Sequence, residues 1–133
     1  MPLRPAAITF TLLALAIMSI GCETTHPTSH RPALINHGVY VKLKNPADAD
    51  ELIADCDRNL AHFPGIVSCY TGKRLDTGRP GIDRTFDVGF FAGFMSQDDY
   101  QRYLDSPQHQ AALAKWSPRW ESIRIDDVID PTP

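Results

Sequence analysis

Basic residues are few and scattered in this chain of 133 residues: 13 Lys and Arg stand against 16 Asp and Glu, for a net charge of −3. No segment carries a stripe of like cations, so the chain has the wrong sign and the wrong pattern for neutralising phosphates, and nucleic-acid binding is excluded. Cysteine is limited to Cys22, Cys56 and Cys69, and no set at a usual spacing supplies the third and fourth ligands of a zinc site. The longest apolar run, Ala6 to Ile20, is 15 residues, short of the about 20 that a membrane-spanning helix needs. Gly and Pro do cluster in Asp76 to Arg84, DTGRPGIDR. No helix follows whose N-terminus would complete a phosphate cradle, so the stretch reads as a mobile hairpin loop. No metal or cofactor is implied. With 43% hydrophobic residues, the chain has room for one domain of ordinary size.

The N-terminal run has the anatomy of a targeting segment. Arg4 supplies a positive start, the apolar stretch has the length of a signal core, and Gly21 immediately precedes Cys22. That ending is similar to a bacterial lipobox, with Ser19 where such a box usually has Leu. Residues 1–22 are therefore expected to be a signal peptide, and Cys22 the site of lipidation. The chain is expected to be exported and anchored to a membrane through its N-terminal lipid; the alternative is a secreted or periplasmic protein. Residues 23–34 are rich in Thr, Ser and Pro and read as an extended tether. His26 and His30 have the spacing of a helical metal pair, but Pro27 argues against a helix, which leaves two solvated histidines. Residues 131–133 form a short tail.

Between these ends the hydrophobic period alternates between strand and helix. Leu34 to Lys44 places Ile35, His37, Val39, Val41 and Leu43 on one face of a strand. His37 on that buried face is either a satisfied core residue or part of a site. Asn45-Pro46 starts a helix, a capping side chain followed by Pro, with Ala49, Leu52, Ile53, Cys56, Leu60 and Phe63 inward. Asp48, Asp50, Asp55 and Asp57 are expected on its wet side. Pro64-Gly65 ends it, and Ile66 to Leu75 is the second strand. Phe86 to Met95 is apolar on both faces, Phe86, Val88, Phe90, Ala92 and Phe94 on one, which makes it a central strand. Ser96 with Asp99 caps a helix carrying Tyr100, Tyr103 and Leu104 inward. Ser106-Pro107 restarts it and puts His109 in the first turn, near backbone N–H groups that disfavour its charged form. Arg119 to Val128 is the last strand, with Trp120, Ser122, Arg124 and Asp126 alternating against Glu121, Ile123, Ile125 and Asp127.

The order βαββαβ gives an α+β, ferredoxin-like fold, an antiparallel sheet with helices on one face. The other face would expose Tyr40, Phe91 and Met95, an apolar patch that a second copy would cover, so a homodimer is expected. Cys56 and Cys69 are left as two buried thiols or as a disulfide, a choice their Cα separation decides.

Several segments in this order resemble one family. They are Ile35-Asn36-His37, Phe63 to Ser68 (FPGIVS), Phe86 to Gly89 (FDVG), the Tyr-x-x-x-Pro-x-His of Tyr103 to His109, and Val128 to Asp130. The run 35–130 is similar to the stress-responsive A/B barrel, or Dabb, domains. The resemblance implies a dimeric α/β barrel. It also implies a cavity lined by His37, Phe90, Tyr103, His109 and Trp116 that would hold a small apolar or aromatic ligand, in a binding or accessory role. The alternative it implies is a cofactor-independent enzyme, polyketide cyclase-like or monooxygenase-like. His109 would then be the general base and Tyr103 the oxyanion partner. Ser106 and Val88 stand where a cyclase of the family carries further histidines.

Overall fold

The computed structural model describes residues 33–130. The expected signal segment with Cys22, the His26 and His30 pair, the tether as far as Pro32 and the tail 131–133 lie outside the described residues. Ala33 and Leu34, read above as the end of the tether, belong to the fold: Ala33 is fully buried and Leu34 packs against the core.

Strands β1 (Ile35–Leu43), β2 (Ile66–Lys73), β3 (Val88–Phe94) and β4 (Trp120–Ile129) form one antiparallel sheet in the order β2-β3-β1-β4. Helices α1 (Ala49–Asn59), α2 (Gln97–Leu104) and α3 (Pro107–Trp116) pack on one face of it. The fold is α+β and ferredoxin-like, βαββαβ with the second helix broken in two.

The break has a local cause. Ser106 accepts a hydrogen bond from the His109 N–H at 3.1 Å and donates one to the Tyr103 carbonyl at 2.7 Å, while Pro107 takes the first position of α3. Ser106 thus closes one helix and opens the next. Ser96 caps α2 in the same way, accepting from the Asp99 N–H.

The core lies between the helices and the inner face of β3 and β1. Val88, Phe90, Ala92 and Phe94 are all buried there with Leu52, Leu60, Tyr103 and Trp116. Each large side chain sequestered in this way contributes about 2–3 kcal/mol of apolar burial. β3 is flanked by β2 and β1, as its two apolar faces require. On its outer face Phe91 lies over Gly38 and Gly89, where a Cβ would come within 3.3 and 3.0 Å of its ring, and Tyr70 stacks on it at 4.5 Å.

Three expectations change. Phe86 precedes β3 and turns its ring onto Tyr40 on the outer face, 5.0 Å between centroids, instead of joining Val88 on the inner one. In β4 the register shifts between Lys42 and Leu43, so that Leu43 pairs with Trp120 while Val41 pairs with Ile123. A bulge of this kind inserts one residue, and it moves Trp120 onto the face of Ile123, Ile125 and Asp127. Asp55, expected on the wet side of α1, is 8% exposed and accepts the indole N–H of Trp116 at 2.7 Å. Burial alone would raise its carboxyl, but the hydrogen bonds from Trp116 and Lys115 outweigh it and hold the group below its ordinary range.

The segment between β2 and β3 is tied down more than its Gly and Pro content suggests. Asp76 accepts from both Nε and Nη2 of Arg84, from the Gly78 N–H and from Arg74, and these partners, Arg84 foremost, lower its carboxyl to about 2. Cys56 and Cys69 are free thiols.

Candidate functional site

Between the inner face of the sheet and the helices lies a cavity of about 300 Å³. Its walls are aliphatic and aromatic: Val39 and Val41 from β1, Leu52 and Leu60 around α1, Phe90 from β3, Trp116 at the end of α3, and Trp120, Ile123 and Ile125 from β4. Five polar side chains reach it, His37, Tyr100, Tyr103, His109 and Asp127.

His37 and Asp127 are partners in the β1–β4 register, and their side chains meet on the inner face with Nδ1 2.6 Å from Oδ1. The Tyr100 hydroxyl, from the first half of α2, donates to the other carboxylate oxygen at 2.8 Å and lies 3.1 Å from His37 Nδ1. An ionised carboxylate only accepts, so His37 carries a proton on Nδ1, and in the neutral ring Nε2 is the nitrogen with a lone pair. His37 is 3% exposed, whereas the Asp127 side chain is 45% exposed. The carboxylate therefore sits at the boundary between a buried ring and solvent. Burial first, and the Asp127 carboxylate second, raise the Tyr100 phenol above its ordinary range.

His109 is fixed by the same logic from a different partner. Its Nδ1 lies 2.9 Å from the Leu104 carbonyl, a group left without an intrahelical partner where α2 ends. A carbonyl also only accepts, so Nδ1 is protonated and Nε2 is bare. Burial lowers the pKa of His109; the bond to Leu104 opposes this in part and the field of His37 adds to it. The ring therefore favours its neutral form, the state expected from its place in the first turn of α3, but the cause is burial and not the helix start. Tyr103 packs between the two histidines, 6.1 Å from His37 and 4.8 Å from His109 between centroids. It is 1% exposed, burial raises its phenol, and its hydroxyl has no hydrogen-bond partner among the described residues.

All five residues named from the sequence line this one cavity. His37, Tyr103 and His109 bring nitrogen and oxygen; Phe90 sets its edge against His37 at 6.4 Å. Trp116 contributes only its ring, since its N–H is spent on Asp55. Asp127 and Tyr100 were not singled out. The signal for Asp127 was the β1–β4 register, which places it opposite His37; for Tyr100 it was the three-residue spacing to Tyr103. Among the described residues no group of three or more His, Cys, Asp or Glu is placed to hold a metal ion, and no helix is long and apolar enough to cross a membrane.

Residues 35–130, most of the chain, match the family model of the stress responsive A/B barrel domain. The chain belongs to that family. This A/B barrel domain is similar in fold to a dimeric ferredoxin-like protein of unknown function from Thermobifida fusca, at 20% identity over 79% of this chain and 99% of that one, with a TM-score of 0.63. It is also similar to a Dabb family protein from Mesorhizobium loti, at 26% identity over 72% of this chain and 95% of that one, with a TM-score of 0.62. A hydroxynitrile lyase from Passiflora edulis shares the fold at 21% identity over 77% of this chain and 98% of that one, with a TM-score of 0.62. A search of the curated proteins finds no match.

Proposed function

We propose that this A/B barrel domain binds a small, largely apolar or aromatic ligand between its sheet and helices, as a membrane-tethered accessory protein. One observation carries the reading: five polar side chains converge on a single cavity whose remaining wall is apolar. A volume of about 300 Å³ is at the lower end of the range for small-molecule sites, and few, placed polar groups in an apolar wall are their usual composition.

The protein works as a homodimer in this reading. Tyr70 and Val128 are 64% and 58% exposed on the outer face of the sheet, beside Phe91, and a second copy would cover them. The Thermobifida fusca neighbour is described as dimeric. Residues 1–22 and the Gly21-Cys22 pair support export and lipid anchoring, with a secreted or periplasmic protein as the alternative.

A second reading is favoured by the His109 geometry. With Nδ1–H on Leu104, its bare Nε2 is a base on the cavity wall beside the buried Tyr103 phenol, the pair required to take a proton and to stabilise the oxyanion that forms. The shared fold of a hydroxynitrile lyase is compatible with chemistry of this kind.

The test is a thermal-shift screen of phenolic, polyketide-like and lipidic compounds on the full chain, with His109→Phe and Tyr103→Phe beside the wild type. Binding to the folded state raises Tm by mass action. Shifts that shrink in both variants are expected. No shift with any compound overturns the ligand reading in favour of a protein partner. Turnover of a hit that His109→Phe abolishes, with the fold intact, establishes the enzymatic one.

A further inference from the structure

The cavity has a charge pattern that restricts what can enter it. No lysine or arginine lines it, while one carboxylate, Asp127, does. The cations nearest its far end sit against the Trp116 ring, Lys115 at 5.0 Å and Arg119 at 4.1 Å, and both are already paired, Lys115 with Glu51 and Asp55, Arg119 with Asp48 and Glu51. Arg124, on the same strand as Asp127, lies over the Tyr40 ring on the outer face and pairs with Asp83 and Asp126. A ligand anion would therefore be buried with no counterion and beside a like charge.

The hydrogen-bonding character points the same way. His37 and His109 both commit Nδ1–H to protein acceptors, so each ring when neutral has Nε2 as its acceptor. Asp127 accepts only. A ligand head that both donates and accepts, a phenol or an amide, complements these three acceptors and also the two unpartnered donors of the lining, the Trp120 indole N–H and the Tyr103 hydroxyl; a carboxylate, which only accepts, can use the donors alone.

We propose that the site selects uncharged ligands with a hydrogen-bond donor at one end, phenols and primary amides being the simplest class, and that Asp127 is the residue that rejects carboxylates. The inference rests on the ligand-binding reading above and specifies what that ligand is. Asp127 acts twice here. It sets the tautomer of His37, and at the cavity mouth its charge discriminates by sign.

The test uses three probes of one shape: para-butylphenol, para-butylbenzamide and para-butylbenzoate. The chain has two tryptophans, Trp116 and Trp120, and both line the cavity, so intrinsic fluorescence of the full chain reports occupancy directly. At neutral pH the phenol and the benzamide are expected to bind, and the benzoate to bind weaker by about tenfold or more. Asp127→Asn keeps an acceptor for His37 and removes the charge; in it the ratio of benzamide to benzoate affinity should fall by most of that gap, whatever change the loss of a carboxylate oxygen makes to all three probes in common. Equal binding of benzamide and benzoate to the wild type overturns the inference and leaves the ligand reading standing. So does a gap that Asp127→Asn leaves unchanged. No fluorescence change with any of the three probes overturns both. Should Asp127→Asn not fold, the benzamide and benzoate comparison on the wild type decides by itself.

Discussion

His37 and Asp127 stand opposite each other across the β1–β4 pair, and a 2.6 Å hydrogen bond between them makes the tautomer of a buried ring a consequence of strand register. His109 is given the same tautomer by the Leu104 carbonyl, a product of where a helix stops. Both rings should therefore be Nδ1–H tautomers when neutral, and long-range proton–nitrogen correlation spectra of the imidazoles check it. An Nε2–H pattern for either ring would remove its acceptor from the cavity and with it the donor-selective site.

Stability should depend on pH through His109. Its folded pKa is lowered from the ordinary 6.5, chiefly by burial. The unfolded chain then binds the proton more readily, so the contribution is complete above pH 6.5 and is lost as pH falls towards the folded value. Urea unfolding midpoints should drop between pH 7.5 and the acidic side of 6.5, and the drop should be smaller in His109→Gln.

Asp55 holds α1 to α3 through the Trp116 indole. Asp55→Ala would strand a buried N–H and is expected to cost about 2–3 kcal/mol, whereas Asp55→Asn, which keeps an acceptor oxygen, costs less. Denaturant titration with a constant m-value gives both numbers. An equal loss in the two variants would mean that charge, and not the indole bond, matters at this position.

Gly65 turns the chain from α1 into β2 at φ +101°, and a Cβ there would come within 3.0 Å of Asp99. Gly65→Ala should lose about 1–3 kcal/mol, from left-handed backbone and crowding together. The same denaturant titration measures it.

The outer face supplies an assembly prediction. Tyr70→Lys puts a charge on the exposed ring that stacks on Phe91, and the dimer proposed for the wild type should fall to monomers by light scattering at micromolar concentration. A monomeric wild type at that concentration sinks the dimer.

The alternation of Ile35 to Leu43 and the double-faced run around Phe90 made the strands readable, because burial on a pleated surface leaves a period of two in the sequence. Ser106-Pro107-x-His109 was readable for a similar reason: capping is local chemistry. What escaped was nonlocal. Trp120 changed face because one inserted residue in β4 slips the pattern, and nothing in the residues of β4 alone marks the slip. Asp55 looked like one more member of an acidic face, since its partner lies on a helix 61 residues away. Asp127 entered the site by the same route, through a partner 90 residues distant. The residues of the cavity carried their types in the sequence; their mutual orientation came only with the register.

The two free cysteines face the core side of the molecule, and burial pushes the Cys56 thiol up to about 12 and the Cys69 thiol up to about 11. Since only the thiolate attacks disulfides, peroxides or alkylating agents, both sulfurs stay in the protonated, slowly reacting form at neutral pH. At these two places sulfur therefore serves as small apolar filler against the core and not as a nucleophile.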